Sequence, residues 1–380
     1  MRLPDYDRSS LSVTASVKGH FGAQSMYPRL PEIDRQLAAG GINKIVLLLA
    51  DGYGEYLLRR HLPADAFTLT HDVCAVSAVF PSTTTAATTS IWTGVSPLEH
   101  GWMGWSLYFK ESAAQIDAFT GCESHRGERM PDGSPASKLM PLPDVNAGIA
   151  DAELHMIFPF DTSAMSSCAH KHVVRELDDM LSLARALCAE EGRKLVYIYT
   201  NEPDHTMHET GVNSAQTKAN FLRIDESVRR FAGTLSDDAL LVLTADHGLV
   251  DATEPVIINE IPEIDECLWM PPSIEARAAA FFVKPFRRAQ FERAFKERCG
   301  GDFVLFTREE ALDMHLFGRG AMHRKTEDFI GDYIACATGG RFIRYDTISG
   351  RVPHMIGMHA GLTDEEMTVP VVIARGEGRR

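Results

Sequence analysis

Apolar residues in this chain gather in short runs with no polar alternation. The clearest are Lys44–Ala50 (KIVLLLA), Ala75–Phe80 (AVSAVF), Lys194–Thr200 (KLVYIYT), Ala239–Thr244 (ALLVLT) and Val369–Ala374 (VPVVIA). A strand with one wet face alternates apolar and polar residues. Runs that are apolar on both parities fit strands buried on both faces of a parallel sheet. Between the runs the period changes: His172–Glu190 and Asn213–Leu235 read as amphipathic helices. Strands alternating with helices predict an α/β fold, a mostly parallel central sheet covered by helices.

Two stretches break this rhythm. Residues 105–169 are rich in Gly, Pro, Ser and Asp and carry few periodic segments. They read as a cap-like insertion near the site. Residues 256–351 carry a pattern of their own: strand Ala278–Val283, helix Arg288–Glu297, strand Phe303–Phe306 and helix Arg308–Leu316. They read as a small α/β subdomain inserted before the last core strand. The core is then 1–104, 170–255 and 352–380. Pro271-Pro272 and Gly318–Gly320 mark loops.

Composition narrows the function. The 380 residues suit one large core with insertions, and 44% hydrophobic with 24% charged residues is ordinary for a packed globular chain. A net charge of -14 repels a nucleic-acid polymer, which is bound by clustered Lys and Arg. Small phosphate esters or nucleotides remain compatible where bound cations supply local positive charge. The seven cysteines are odd in number, widely spaced and without a CxxC pair, so reduced, buried thiols are expected. The N-terminal segment has no apolar stretch of signal-peptide length, and runs such as Ile45–Ala50 are too short to span a bilayer. A cytoplasmic protein with no membrane partner is the expectation.

The chemistry lies where the strands end. Asp51 follows KIVLLLA, Asp246 and His247 follow ALLVLTA, and Asp204 and His208 lie in TNEPDHTMH after KLVYIYT. Functional groups in open parallel sheets gather beyond the carboxyl ends of the strands. A lone Asp there is ordinarily a helix N-cap, and a lone His is ordinarily a hydrogen-bonded bystander. Several delivered to one edge repel unless a cation sits among them, and mixed Asp and His donors suit zinc, manganese or iron. Asp204 and His208, four apart, share one face of a helical turn.

The segment FPSTTTAATTSIWTG (Phe80–Gly94) is the second signal. It predicts a strand end followed by a helix that stops near Gly94. A hydroxyl at such a helix start lies beside free backbone N–H groups, a ready anion site. A metal bound to that hydroxyl would make it a nucleophile near neutral pH. The residues alone leave Thr83, Thr84 and Thr85 open.

In this order the segments resemble the alkaline phosphatase superfamily, specifically its nucleotide pyrophosphatase/phosphodiesterase-like branch. LLLADGYG carries Asp51. FPSTTTAATTSIWTG is similar to the nucleophile segment, and anchoring it on Thr93-Gly94 places the nucleophile at Thr84. EPDHTMHETG gives Asp204 and His208, TADHGLVD gives Asp246 and His247, and GMHAGLTDEEMTVPVVI gives His359. The resemblance implies a three-layer α/β sandwich and two divalent metal ions, usually zinc. One would be held by Asp204, His208 and His359, the other by Asp51, Asp246, His247 and the Thr84 oxygen. Thr84 would attack phosphorus to form a phospho-threonine that water then hydrolyses.

One position departs. Where better-known phosphodiesterases carry an Asn that contacts the phosphoryl oxygen, this chain has Trp105, in His100-Gly101-Trp102-Met103-Gly104-Trp105. An indole does not replace an amide. Trp102, Trp105, Tyr108 and Phe109 are candidates for the leaving-group pocket, or for plain packing. His100 and His354 are candidate outer partners of the site, and His205 matches no ligand position. No Gly-x-Ser-x-Gly elbow or sulfatase Cys/Ser-x-Pro-x-Arg pattern is present. The leading expectation is a phosphodiesterase or nucleotide pyrophosphatase. The alternatives are a phosphomonoesterase or other phosphoryl- or phosphonate-transfer enzyme, and a non-catalytic metal- or phosphate-binding protein.

Overall fold

The structure, a computed structural model, describes residues 1–131, 133–161, 167–346 and 355–376. His354 lies outside the described residues. The central sheet has seven strands, in chain order β1 (Lys44–Ala50), β2 (Asp72–Ser77), β3 (Glu153–Phe158), β4 (His170–Val173), β5 (Lys194–Thr200), β6 (Ala239–Thr244) and β7 (Thr368–Arg375). Across the sheet they run β2-β7-β6-β1-β5-β3-β4. Every pair from β6 to β4 is parallel. Strand β7 runs antiparallel to both of its neighbours. Strands β1, β5 and β6 are buried at every position, as their unbroken apolar runs require.

Three expectations are corrected. The helix read as His172–Glu190 begins only at Leu177, with Asp178 and Asp179 in its first turn. The residues before it form β4, an edge strand whose polar histidines face away from the core. The strand read as Ala75–Phe80 is Asp72–Ser77. Beyond Ser77 the chain leaves the ladder, and Ala78 donates its N–H to Met367 O instead. Strand β7 was read among parallel strands, but an apolar run carries no information about direction. Its Pro370 is level with Ala75 of β2, and pairing with β6 starts only at Val372. The missing N–H therefore costs the β6 ladder nothing.

The two stretches outside the core rhythm share one antiparallel sheet. Its order is Phe303–Thr307, Tyr333–Ala337, Ala278–Phe281, Ser273–Ile274, Ser106–Phe109 and Ala114–Asp117. The seam between the two stretches is the pairing of Ile274 with Ser106. Strand β3 also falls within 105–169, yet it pairs with β5 in the central sheet. Helix Arg288–Cys299 gives the smaller sheet its own core, with Phe291 and Phe295 against Phe281, Phe303 and Tyr333. A buried ion pair ties this unit to the central one: Arg277 Nε and Nη2 donate to Glu366 Oε1 and Oε2 at 2.6 and 2.8 Å. Cys74 and Cys122 are half-buried and the other five cysteines are buried; none is paired.

Candidate active site

Strand register builds the site. Ala50 is level with Thr200, and Leu49 with Thr244. Asp51, Asp204 and Asp246 therefore leave the sheet at one end, and all three are buried. Asp204 N–H donates to Asp51 O at 3.0 Å, and Gly52 N–H to Asp246 Oδ1 at 3.1 Å. Gly52 is needed at its place. Its φ is +71°, and a Cβ there would lie 2.7 Å from Leu249 and 3.0 Å from Asp204. Helix Asp204–Thr210 puts His208 one turn from Asp204, with Nε2 3.0 Å from Oδ2.

The three histidines are oriented alike. His208 Nδ1 meets Gly357 O at 2.8 Å, His247 Nδ1 meets Gly248 O at 3.2 Å, and His359 Nδ1 meets Ser82 O at 3.2 Å. A carbonyl can only accept, so each Nδ1 carries a proton, and Nε2 is the ring nitrogen turned to the site. His247 Nε2 then stands 3.4 Å from Asp51 Oδ1 and 3.4 Å from Asp246 Oδ2. Acceptors face acceptors there. Asp51 Oδ1, Asp204 Oδ1 and Asp246 Oδ2 are buried without a hydrogen-bond partner among the described residues. That donor set fits divalent cations, which take lone pairs from carboxylate and imidazole together.

Charge confirms the crowding. Burial, with Asp246 and Asp204 beside it, pushes the Asp51 carboxyl well above the usual range. Burial also raises Asp246, although His247 opposes it. Burial opposes ionisation of Asp204, but His208 overrides it and holds that carboxyl low. The same partner raises His208, against burial, to about 9.

Two groups of donors lie close enough to hold an ion: Asp51, Asp246 and His247, and Asp204, His247 and His359. The first is as the sequence suggested. In the second, His247 stands where His208 was expected. His208 and His359 approach opposite oxygens of Asp204, at 3.0 and 3.9 Å, which separates them. The rings of His247 and His359 stack at 3.8 Å, which brings His247 to both groups.

Thr84 opens helix Thr84–Thr93, which ends on Gly94 at φ +85°. Its Oγ1 is 3.3 Å from His247 Nε2 and 3.5 Å from Asp51 Oδ2. Thr83 sends its hydroxyl to Glu275 Oε1 at 2.7 Å, and Thr85 is buried. Of the run of three, Thr84 alone is half-buried, at the floor of a cavity of about 1080 Å³.

Trp102 is buried at the cavity wall and donates its indole N–H to Met140 O at 3.0 Å. Trp105 is 41% exposed on the same cavity, edge-on to Phe119. Tyr108 and Phe109 do not line it. They pack on Phe282 and Phe329 respectively. His205 is exposed at the rim. His100 is buried against Ser90 and Trp102 N–H, away from the ligand set, and burial pushes its pKa down to about 3.

Two site residues escaped the sequence reading. Tyr199, inside the apolar run of β5, donates its hydroxyl to Asp51 Oδ2 at 2.5 Å. Only its parity, level with Leu49 on β1, hints at this. Glu275 comes from the second sheet. Its Oε1 accepts from Thr83 and from Trp105 N–H, both at 2.7 Å. Burial holds its carboxyl up to about 7 against those two donors.

The family model for type I phosphodiesterase / nucleotide pyrophosphatase matches residues 45–361. No curated protein matches the chain. Among solved structures, murine ectonucleotide pyrophosphatase / phosphodiesterase 5 superposes at a TM-score of 0.60 with 16% identity, covering 88% of each chain. An inactive threonine-to-alanine variant of that protein, in complex with AMP, gives 0.61 at 16% identity over the same 88% of each chain. Phosphonoacetate hydrolase from Sinorhizobium meliloti 1021, in complex with phosphonoformate, gives 0.63 at 16% identity, over 87% of this chain and 89% of that one. At such identities the likeness is one of fold.

Proposed function

The chain belongs to the type I phosphodiesterase / nucleotide pyrophosphatase family of metal-dependent phosphoester hydrolases, and we propose that it cleaves small phosphodiesters or nucleotide esters at a two-metal centre through a phospho-threonine on Thr84. The observation that carries this reading is the position of Thr84 Oγ1, at a helix start and within 3.3 Å of His247 Nε2 and 3.5 Å of Asp51 Oδ2.

Asp51, Asp246, His247 and Thr84 would hold one ion, and Asp204, His208 and His359 the other. His247 goes with the first set because its Nε2 is equidistant from Asp51 and Asp246. Mixed carboxylate and imidazole donors favour zinc, with manganese next. Such ions, when bound, lower the pKa of a bound hydroxyl and offset charge on phosphoryl oxygens.

The chain's own groups do the rest. Thr84 Oγ1 forms a bond to phosphorus as the phosphorus–oxygen bond to the leaving group breaks, and the proton lost from Thr84 is balanced by the one the departing oxygen takes up from solvent to leave as the alcohol. The free N–H groups of the helix start face a non-bridging oxygen. Water then opens the phospho-threonine, releasing the phosphomonoester and restoring the Thr84 hydroxyl. The murine neighbour is inactive with one threonine replaced by alanine, which agrees with a threonine nucleophile.

The likeness to phosphonoacetate hydrolase favours a second reading, a phosphomonoesterase or phosphonate hydrolase. Turnover of a bis-aryl phosphate against the mono-aryl phosphate separates the two. Preference for the diester is expected; clear preference for the monoester would sink the first reading.

A further inference from the structure

We propose that Glu275 reads the charge on the reacting phosphoryl group: its carboxylate admits phosphodiesters and turns away phosphomonoesters. The inference rests on the phosphodiesterase reading and names the substrate class of that same site.

Glu275 follows the short strand Ser273–Ile274, where Ile274 takes φ +78° and turns the chain toward the nucleophile. Oε1 is fixed by two donors from different elements, Thr83 Oγ1 and Trp105 N–H. The carboxyl cannot swing away without leaving both donors unpaired. Glu275 lines the same cavity as Thr84. Thr83 precedes Thr84 in the chain, so the carboxyl is anchored beside the reacting group.

The rest of the cavity does not offset this charge. Asp117, Asp161 and Asp346 also line it. Arg344 is taken up by Asp346 at 2.6 Å, Arg129 lies exposed at the rim, and no lysine lines it among the described residues. Apart from Arg129 at the rim, the positive charge of the site belongs to the proposed metal centre. A diester brings one charge, which sits there. A monoester brings a second within the field of a fixed, part-desolvated carboxylate, where like charges repel strongly.

The test compares wild type, Glu275→Gln and Glu275→Asp on the bis-aryl and mono-aryl phosphates, at about pH 8.5, above the value of about 7 to which burial raises Glu275. Glutamine keeps the acceptor and the shape but removes the charge. The ratio of kcat/KM for monoester over diester should rise about tenfold or more in Glu275→Gln and stay near the wild-type value in Glu275→Asp. A wild type that prefers the diester, with an unchanged ratio in Glu275→Gln, overturns the role of Glu275 alone. An equal loss on both substrates also overturns it, since that is what a merely structural residue gives. A wild type that prefers the monoester overturns both this inference and the phosphodiesterase reading.

Discussion

Thr84 differs from its neighbours by one hydroxyl orientation. Thr83 and Thr85 share its chemistry, but only Thr84 Oγ1 reaches Asp51 and His247. Thr84→Ala should abolish turnover while bound metal, measured by elemental analysis, stays near two per chain, because six donors remain. Full residual activity in that variant would refute the nucleophile. Tyr199 acts on the same centre through Asp51. Its hydroxyl fixes Oδ2 and leaves Oδ1 turned inward without a partner. Tyr199→Phe removes that orientation without changing the shape of the core. Metal affinity should fall roughly 10–100-fold, the usual effect of losing a group that positions a ligand, in a competition titration with a chelating dye. An unchanged affinity would mean that Asp51 is held by the strand end alone.

At the level of elements, the smaller sheet brings Glu275 to the site, and Arg277, two residues on, fastens it. Arg277 is fully buried. Besides Glu366 it donates to Gly339 O and Arg341 O, and Glu366 in turn accepts from Gly361 N–H and Thr363 Oγ1. Arg277→Ala would leave the Glu366 carboxylate buried without its partner, a loss of about 3–5 kcal/mol. Urea denaturation should show it as a lower midpoint. A midpoint within error of wild type would mean that the sheet is held by its apolar contacts.

The elements also show where sequence was readable. Asp51, Asp204 and Asp246 could be found because each follows an apolar run, and register then puts strand ends side by side. Strand β4 could not, because an edge strand rich in histidine has neither an apolar run nor clean alternation. Tyr199 was hidden because a buried tyrosine in a strand looks like packing. Glu275 was hidden because its partners, Thr83 and Trp105, are some 170–192 residues away in sequence. The single sheet shared by 105–169 and 256–351 rests on one such long-range pairing, and no local pattern encodes it.

For the whole molecule, the buried acidic centre links metal to stability. Burial with Asp246 and Asp204 disfavours ionised Asp51, and burial with Asp204 disfavours ionised Asp246, so an ion bound only by the folded chain stabilises it by mass action. A chelator should inactivate the protein and lower its melting temperature, and added zinc should restore both. A chelator-insensitive activity would count against the metal scheme, and an unchanged melting temperature against the linkage.

The placement of β7 has a consequence in time. Residues 368–375 are nearly the last described, yet they lie inside the sheet, between β2 and β6. Strand β2, made some 300 residues earlier, has no ladder neighbour until then, beyond a single bridge from Ser77 to Ser9. A chain emerging from the ribosome carries that unpaired edge until β7 is made, and such edges invite wrong partners. The same late strand follows directly on the segment that carries His359 and Glu366. Closing the sheet, docking the smaller sheet and completing the candidate metal centre thus all wait on residues 359–375, and a chain interrupted before His359 would be denied all three.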